Sequence, residues 1–213
     1  GNDMKLMPER LEGSRNFANK LWNAARFTFG FQEVAAKPGK LPLEDRWILS
    51  RLSHTTAEID RLMEEWLFGE AGRVLEEFAW GEFCDWYLEI AKQRLYGADV
   101  IAKETALWVT RQVLDTVLRL LHPFMPFVTE EIWQHLPHEG ESLMVAAWPQ
   151  PEERDLEAEH QMSVLIEVVR ALRTLRAEFR VEAGRWVETV VAAGAHAALL
   201  AEHQDKLEVL ARA

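Results

Sequence analysis

The residues best equipped for chemistry lie in one run, Arg15 to Phe27, which reads Arg-Asn-Phe-Ala-Asn-Lys-Leu-Trp-Asn-Ala-Ala-Arg-Phe. Wound as a helix at roughly 100° per residue, it puts Phe17, Leu21, Ala24, Ala25 and Thr28 on one face. Asn16, Asn19, Lys20, Asn23 and Arg26 fall on the other, and Phe27 lands inside that polar stripe. Asparagine costs a helix interior about a few tenths of a kcal/mol or more against alanine, so an asparagine stripe calls for a task beyond solubility. An unpaired nucleic-acid base offers a π-face to an aromatic ring or a guanidinium plane and a hydrogen-bonding edge to amides. Stacking of that kind contributes about 1–3 kcal/mol per base. The same residues have a second use, in which the asparagines bond across a helix–helix contact and Phe27 fills a neighbouring helix's groove.

A second basic feature lies far along the chain. Arg173, Arg176 and Arg180 fall within about 60° of one another on a helical wheel, beside the apolar face of Val168, Leu172, Leu175 and Phe179, with Arg170 and Arg185 flanking. Arginines so placed suit phosphate contacts, which position a nucleic acid without reading it. They equally suit salt bridges to the acidic remainder of the chain.

Other chemistries find little support. A carboxylate-bridged metal bundle wants Glu-x-x-His on two helices with further inward glutamates, and the one match, Glu157 to His160, stands in an acidic stretch that reads as a solvated helix start. No metal site is expected. Phosphate-cradling loops, dinucleotide fingerprints and a Gly-x-Ser-x-Gly elbow are missing from the sequence, and Cys84 has no histidine near it in sequence. Catalysis by these residues alone is not expected.

With 213 residues, 48% hydrophobic and 28% charged, the chain is long enough for one generous domain or one and a half. A single cysteine makes no internal disulfide and fits a reducing compartment, and neither a signal peptide nor a long apolar run is present, so a cytoplasmic setting away from membranes is expected. The net charge of −11 weighs, for the chain as a whole, against nucleic acid. Its distribution does not: residues 1–51 hold nine Lys or Arg against six Asp or Glu, so the basic excess travels with the asparagine stripe.

The elements that must position these residues are nearly all helices. After an extended lead-in, Pro8 suits the first turn of a helix that begins near Glu9 and runs to about Phe29, stopping at Gly30. Lys37 to Lys40 reads as a turn. Pro42 occupies the first position of the next helix, with Glu44 and Asp45 where the dipole favours acids, and its apolar spacing persists to Trp66. Gly69 to Gly72 interrupts, a third helix follows to Leu95, and a fourth spans about Val100 to Leu121. Thr129 suits the N-cap of a short helix that closes at Pro137. Trp148-Pro149-Gln150-Pro151 resembles a linker, a fifth long helix spans about Glu157 to Phe179, and Ala195 to Ala211 is helical again. Trp47, Trp66, Trp86, Trp108 and Trp133 sit on apolar stripes and read as core. Residues 185–192 are β-branched enough for a strand, yet one strand alone is no sheet. Its partner comes from another molecule or from chain beyond Ala213, and the second reading makes this sequence a fragment. The expected organisation is a mainly α helical bundle over 1–150 and a helix–strand–helix α/β subdomain over 151–213.

Several runs resemble one family. Arg15 to Phe27 resembles the helix that opens the anticodon-binding domain of valyl-tRNA synthetases, class I aminoacyl-tRNA synthetases. Leu43-Glu44-Asp45-Arg46-Trp47-Ile48-Leu49-Ser50-Arg51-Leu52 resembles that family's next helix, and Pro123 to Trp133 its later signature. Ser142-Leu143-Met144 before Trp148-Pro149, then Val169 to Arg173 and Glu182 to Arg185, continue the match in order across essentially the whole chain. The isoleucine, leucine and methionine relatives share the bundle plan, and the Asn-Phe-Ala-Asn-Lys-Leu-Trp-Asn run is what favours valine. The resemblance implies a C-terminal domain that docks the anticodon arm of valine tRNA, with Arg26 and Phe27 meeting anticodon bases and Asn19, Lys20 and Asn23 lining the approach; Asn16 shares their stripe, and Arg173, Arg176 and Arg180 are candidates for its phosphates by their spacing. It implies a catalytic domain upstream, since the family's His-Ile-Gly-His and Lys-Met-Ser-Lys-Ser type motifs do not occur here. ATP and magnesium belong to that domain, and this piece, monomeric and inactive alone, needs no cofactor. A helical protein-interaction module without tRNA contact, and the equivalent isoleucyl domain, are the alternatives.

Overall fold

The computed structural model describes residues 8–31 and 37–212. The expected lead-in before Pro8 lies outside them. The chain divides into two compact units, Gly1–Arg154 and Asp155–Ala213.

In the first unit, α1 (Pro8–Phe29) buries the face its spacing predicts, with Phe17, Leu21, Ala24, Ala25 and Thr28 all inside. The second helix, α2 (Leu43–Glu64), starts one residue later than expected, because Pro42 is the cap residue. Its two acids do more than answer the dipole: Glu44 and Asp45 are both buried.

The break after α2 is not at the glycines. Gly69 and Gly72 lie inside α3 (Phe68–Glu77), and α2 is closed two residues past Glu64 by Trp66, whose φ of 61° is left-handed. The Leu67 N–H donates to the Leu62 carbonyl and the Trp66 N–H to the Met63 carbonyl, the paired bonds that close a helix through one left-handed residue. Glycine normally takes that position. The expected core role of Trp66 therefore fails: it is 78% exposed, edge to face with Phe68. Trp47, Trp86 and Trp133 are buried as expected, and Trp108 is half-buried.

From α3 the chain runs on without a break through a π-helical stretch, Phe78–Tyr87, into α4 (Leu88–Leu95). The wider turn points Phe78, Ala79, Phe83, Cys84, Trp86 and Tyr87 inward. Gly97 ends α4, where an added Cβ would stand 2.9 Å from the Gln93 carbonyl oxygen. The central helix α5 (Val100–Leu121) is capped by Asp99, which accepts from the Ala102 N–H, and packs against α1, α2, α3 and α4.

The last helix of the unit, α6 (Pro126–Trp133), begins at its proline. Thr129 is thus no N-cap: its hydroxyl donates back to the Met125 carbonyl. The Trp133 indole N–H donates to Asp115 at 2.7 Å, and Glu130 accepts from the Ser142 hydroxyl and the Leu143 N–H, tying down the 3₁₀ turn Leu143–Val145. The supposed linker is held to α2, through Trp148 on Asp60 and Ser53 on the Glu152 carbonyl.

The second unit is built on α7 (Leu156–Glu178), capped by Asp155, with α8 (Ala197–Glu202) and α9 (Gln204–Ala211). Ala158, Met162, Leu165, Val169, Leu200 and Ala211 are buried. The continuous helix expected to Ala211 is divided at His203. No strand occurs among the described residues, so the appended α/β subdomain is corrected to a helical unit with an irregular segment. Residues 185–192 have no paired neighbour strand, Val190 is 95% exposed, and the Val187 N–H reaches only the Arg212 carbonyl at 3.4 Å. β-branched composition favours a strand only when another strand accepts its ladder bonds.

Candidate nucleic-acid interface

The polar stripe of α1 is presented outward. Asn16, Asn19, Asn23 and Arg26 are exposed, so the amides face solvent rather than a neighbouring helix. Lys20 is the member already engaged, at 2.6 Å from Asp85 and 5.4 Å above the Trp80 ring, which itself stacks on Phe17. That ion pair is 34% and 46% exposed on its two sides, so water screens it and an incoming phosphate can compete for the ammonium.

Phe27 is half-buried at the end of the stripe. Its ring meets Phe31 at 5.3 Å and Tyr96 at 6.0 Å between centroids, both edge to face, and Phe31 and Tyr96 meet each other at 5.6 Å. The Lys92 ammonium stands 5.9 Å over Phe27 and that of Lys103 5.5 Å over Phe31. An Arg111 N–H donates to the Phe31 carbonyl at 2.6 Å, fixing the chain just after α1. A basic, ring-built corner therefore closes the far end of the asparagine stripe.

Sequence reasoning missed Phe31, Tyr96, Lys92 and Lys103. Phe31 lies past the Gly30 stop, and Tyr96 ends a helix more than sixty positions away. The one available signal was the pairing of an aromatic with glycine at each helix end, Gly30-Phe31 and Tyr96-Gly97.

The corner rests on a buried anchor. Arg94 donates to both oxygens of Asp45, at 2.8 and 2.5 Å, and the Tyr87 hydroxyl donates to the same carboxylate at 2.8 Å. Burial pushes the Asp45 carboxyl above its ordinary range, and the guanidinium holds it back. Burial works hardest against the Arg94 charge, but the Asp45 hydrogen bonds together with the electrostatic attraction of Asp45, Tyr87 and Glu44 outweigh it and move that pKa up. The pair pins the C-terminal end of α4, and with it Lys92 and Tyr96, to the start of α2.

In the second unit the arginines have structural work. Arg173 donates to the Leu210 carbonyl, and Arg176 donates to the carbonyls of Arg212, Glu182 and Arg185. These bonds go to carbonyls at the end of α9 and in the loop after α7. Arg180 is exposed with φ 50°, at the left-handed position closing α7.

Cys84 is buried, and burial pushes its thiol up to about 12, far from a nucleophile's range. Among the described residues no three His, Cys, Asp or Glu side chains gather to hold a metal, and no helix is long and apolar enough to cross a membrane.

A family model described as the anticodon-binding domain of tRNA ligase matches residues 45–191. The valine–tRNA ligase of Dehalococcoides mccartyi strain 195 is 49% identical over 223 aligned residues, covering 100% of this chain and 25% of the relative. That of Carboxydothermus hydrogenoformans is 50% identical over 90% of the chain and 22% of the relative, and that of Geobacillus kaustophilus 49% identical over 84% and 21%. The chain spans about a quarter of the length of the curated relatives it matches. The family model begins after α1, whereas the whole-chain match includes it.

Proposed function

The chain belongs to the valine–tRNA ligases, within their anticodon-binding domain, and we propose that it holds the anticodon arm of valine tRNA for a longer enzyme that joins valine to that tRNA with ATP. The observation that carries this reading is the exposed stripe of Asn16, Asn19, Asn23 and Arg26 running to the half-open Phe27 ring. Amide side chains have both a donor and an acceptor for a base edge, the ring takes a base face, and Arg26 and Lys20 take phosphate oxygens. Arg173, Arg176 and Arg180 add phosphate contacts from the second unit. Those of Arg173 and Arg176 are the weaker, because carbonyls already hold their N–H groups.

The work of this piece is recognition. Energy released at the anticodon end holds the distant acceptor end at the reacting centre, so remote binding is spent on positioning. ATP and magnesium act in the catalytic portion of the longer protein, which this chain adjoins as a monomeric module in the cytoplasm.

The test is binding of the chain to a valine tRNA transcript and to the same transcript with its middle anticodon base changed. Tighter binding to the unchanged anticodon is the expected outcome, and equal binding to both would remove base reading from this unit. Phe27→Ala should weaken binding to the unchanged transcript by about 1–3 kcal/mol. Because the ring also packs on Phe31 and Tyr96, the same truncation should cost the fold about 1 kcal/mol. A melting curve taken alongside separates the two effects.

A further inference from the structure

We propose that Tyr96 is a second stacking platform, on which an unpaired nucleobase neighbouring the one on Phe27 lies, with Lys92 and Lys103 taking the phosphates between them. The inference rests on the reading of this unit as a binder of an RNA loop.

Tyr96 ends α4 with 73% of its surface open, although its ring touches two others. The contacts explain the combination. Phe27 and Phe31 meet it at interplanar angles of 69° and 57°, so the rings are tilted against one another rather than laid face on face, and a Tyr96 face stays free. Val100 and Ile101, at the start of α5, are 64% and 77% exposed. A soluble chain gains nothing from leaving a tyrosine and two aliphatics bare together at one turn.

Three properties select the occupant. First, the apolar surface carries cations: Lys92 over Phe27, Lys103 over Phe31, and exposed Arg26 on the adjoining stripe. In a chain of net charge −11 such a corner suits a polyanion with flat aromatic groups. The acids at the corner are engaged: Glu89 pairs with Lys92 at 2.5 Å in an exposed, exchangeable bridge, and Asp99 caps α5. Second, the platform is rigid. Two residues before Tyr96, Arg94 is locked to Asp45. The Tyr96 N–H donates to the Lys92 carbonyl, and the turn that follows depends on Gly97, since a side chain there would strike the Gln93 carbonyl. A ring held by its backbone loses little entropy when a base stacks on it. Third, the Phe27 and Tyr96 centroids are 6.0 Å apart, so bases adjacent in one loop reach both.

The experiment uses valine tRNA transcripts carrying 2-aminopurine at each anticodon-loop position in turn, because stacking on an aromatic ring quenches that base. They are titrated with the 213-residue chain and with its Tyr96→Ala, Tyr96→Phe and Phe27→Ala variants. Tyr96→Ala is expected to bind roughly 5- to 150-fold more weakly and to lose quenching at one loop position that Phe27→Ala leaves quenched. Tyr96→Phe is expected to retain both. Circular dichroism melts check that the exposed side chain is removed without unfolding. Unchanged affinity and unchanged quenching at every position in Tyr96→Ala would overturn the platform, and a loss in Phe27→Ala would then leave the anticodon-binding reading standing. Equal loss at all positions with a lowered melting temperature would overturn it too, as a packing effect. Failure of the unaltered chain to bind any transcript would overturn both.

Discussion

Asp45 shows how one side chain can hold a surface it never reaches. Its carboxylate is fully buried in the first turn of α2 and accepts from Arg94 on both oxygens and from Tyr87 on one. Removing one partner of a buried ion pair leaves the other charge without compensation, which costs about 3–5 kcal/mol. Arg94 keeps 16% of its side chain exposed and has a second carboxylate, Glu44, 3.4 Å from its Nε, so the lower end of that range applies. Asp45→Ala is therefore expected to lower unfolding stability by about 3 kcal/mol in urea titration. Asp45→Leu, which fills the volume but leaves Arg94 only its longer pairing with Glu44, at 3.4 Å, should be no better. A loss under about 1 kcal/mol would mean the pair behaves as a screened surface bridge, and the rigidity argued for the α4 end would go with it.

Helix ends carry the most unusual backbone in this protein. Trp66, Arg180 and Arg212 are the non-glycine residues with positive φ among the described residues, and all three follow the last turn of a helix. Arg180 repeats the arrangement at Trp66, with the Val181 N–H on the Arg176 carbonyl and the Arg180 N–H on the Ala177 carbonyl. The left-handed conformation costs an L-residue with a Cβ about 1–2 kcal/mol. Trp66→Ala and Trp66→Gly both remove the same exposed ring, and only glycine relieves the strain. Thermal unfolding should find the glycine variant the more stable by about 1 kcal/mol, the reverse of the order inside a helix. Alanine equal to or above glycine would argue that the left-handed turn is not populated.

At the scale of the molecule the problem is charge. A chain with net charge −11 that binds RNA must do so through a local concentration of cations, and the rest of its surface repels the ligand. Single-stranded nucleic acid loses about 0.7 in the log–log salt slope per phosphate neutralised. Contacts from Arg26, Lys92 and Lys103 give an expected slope of roughly −2, steepened by whatever Lys20 and the second unit's arginines add. Titrations at several salt concentrations measure it directly. A slope near zero would point to a packed protein interface and against RNA.

Local pattern alone determined a good deal of this. The limits of α1, its buried face and the outward position of the asparagines follow from helical spacing, because each residue's place on a helix is set by neighbours within a few positions, and the basic excess near the N-terminus is a count along the chain. Resemblance carried the family, since the matching runs are written in the sequence in order. The meeting of Phe27 with Phe31, Tyr96, Lys92 and Lys103 was decided by tertiary structure, which brings the end of α1 against the turn between α4 and α5. The same holds for Asp45, legible as a dipole acid but made an anchor by Arg94, forty-nine positions on. Trp66 looked like core because its spacing continued the α2 stripe, and a left-handed turn, invisible without a glycine to mark it, carried it into solvent. Residues 185–192 had strand composition, and composition does not make a strand, because the bonds that define one belong to a neighbour.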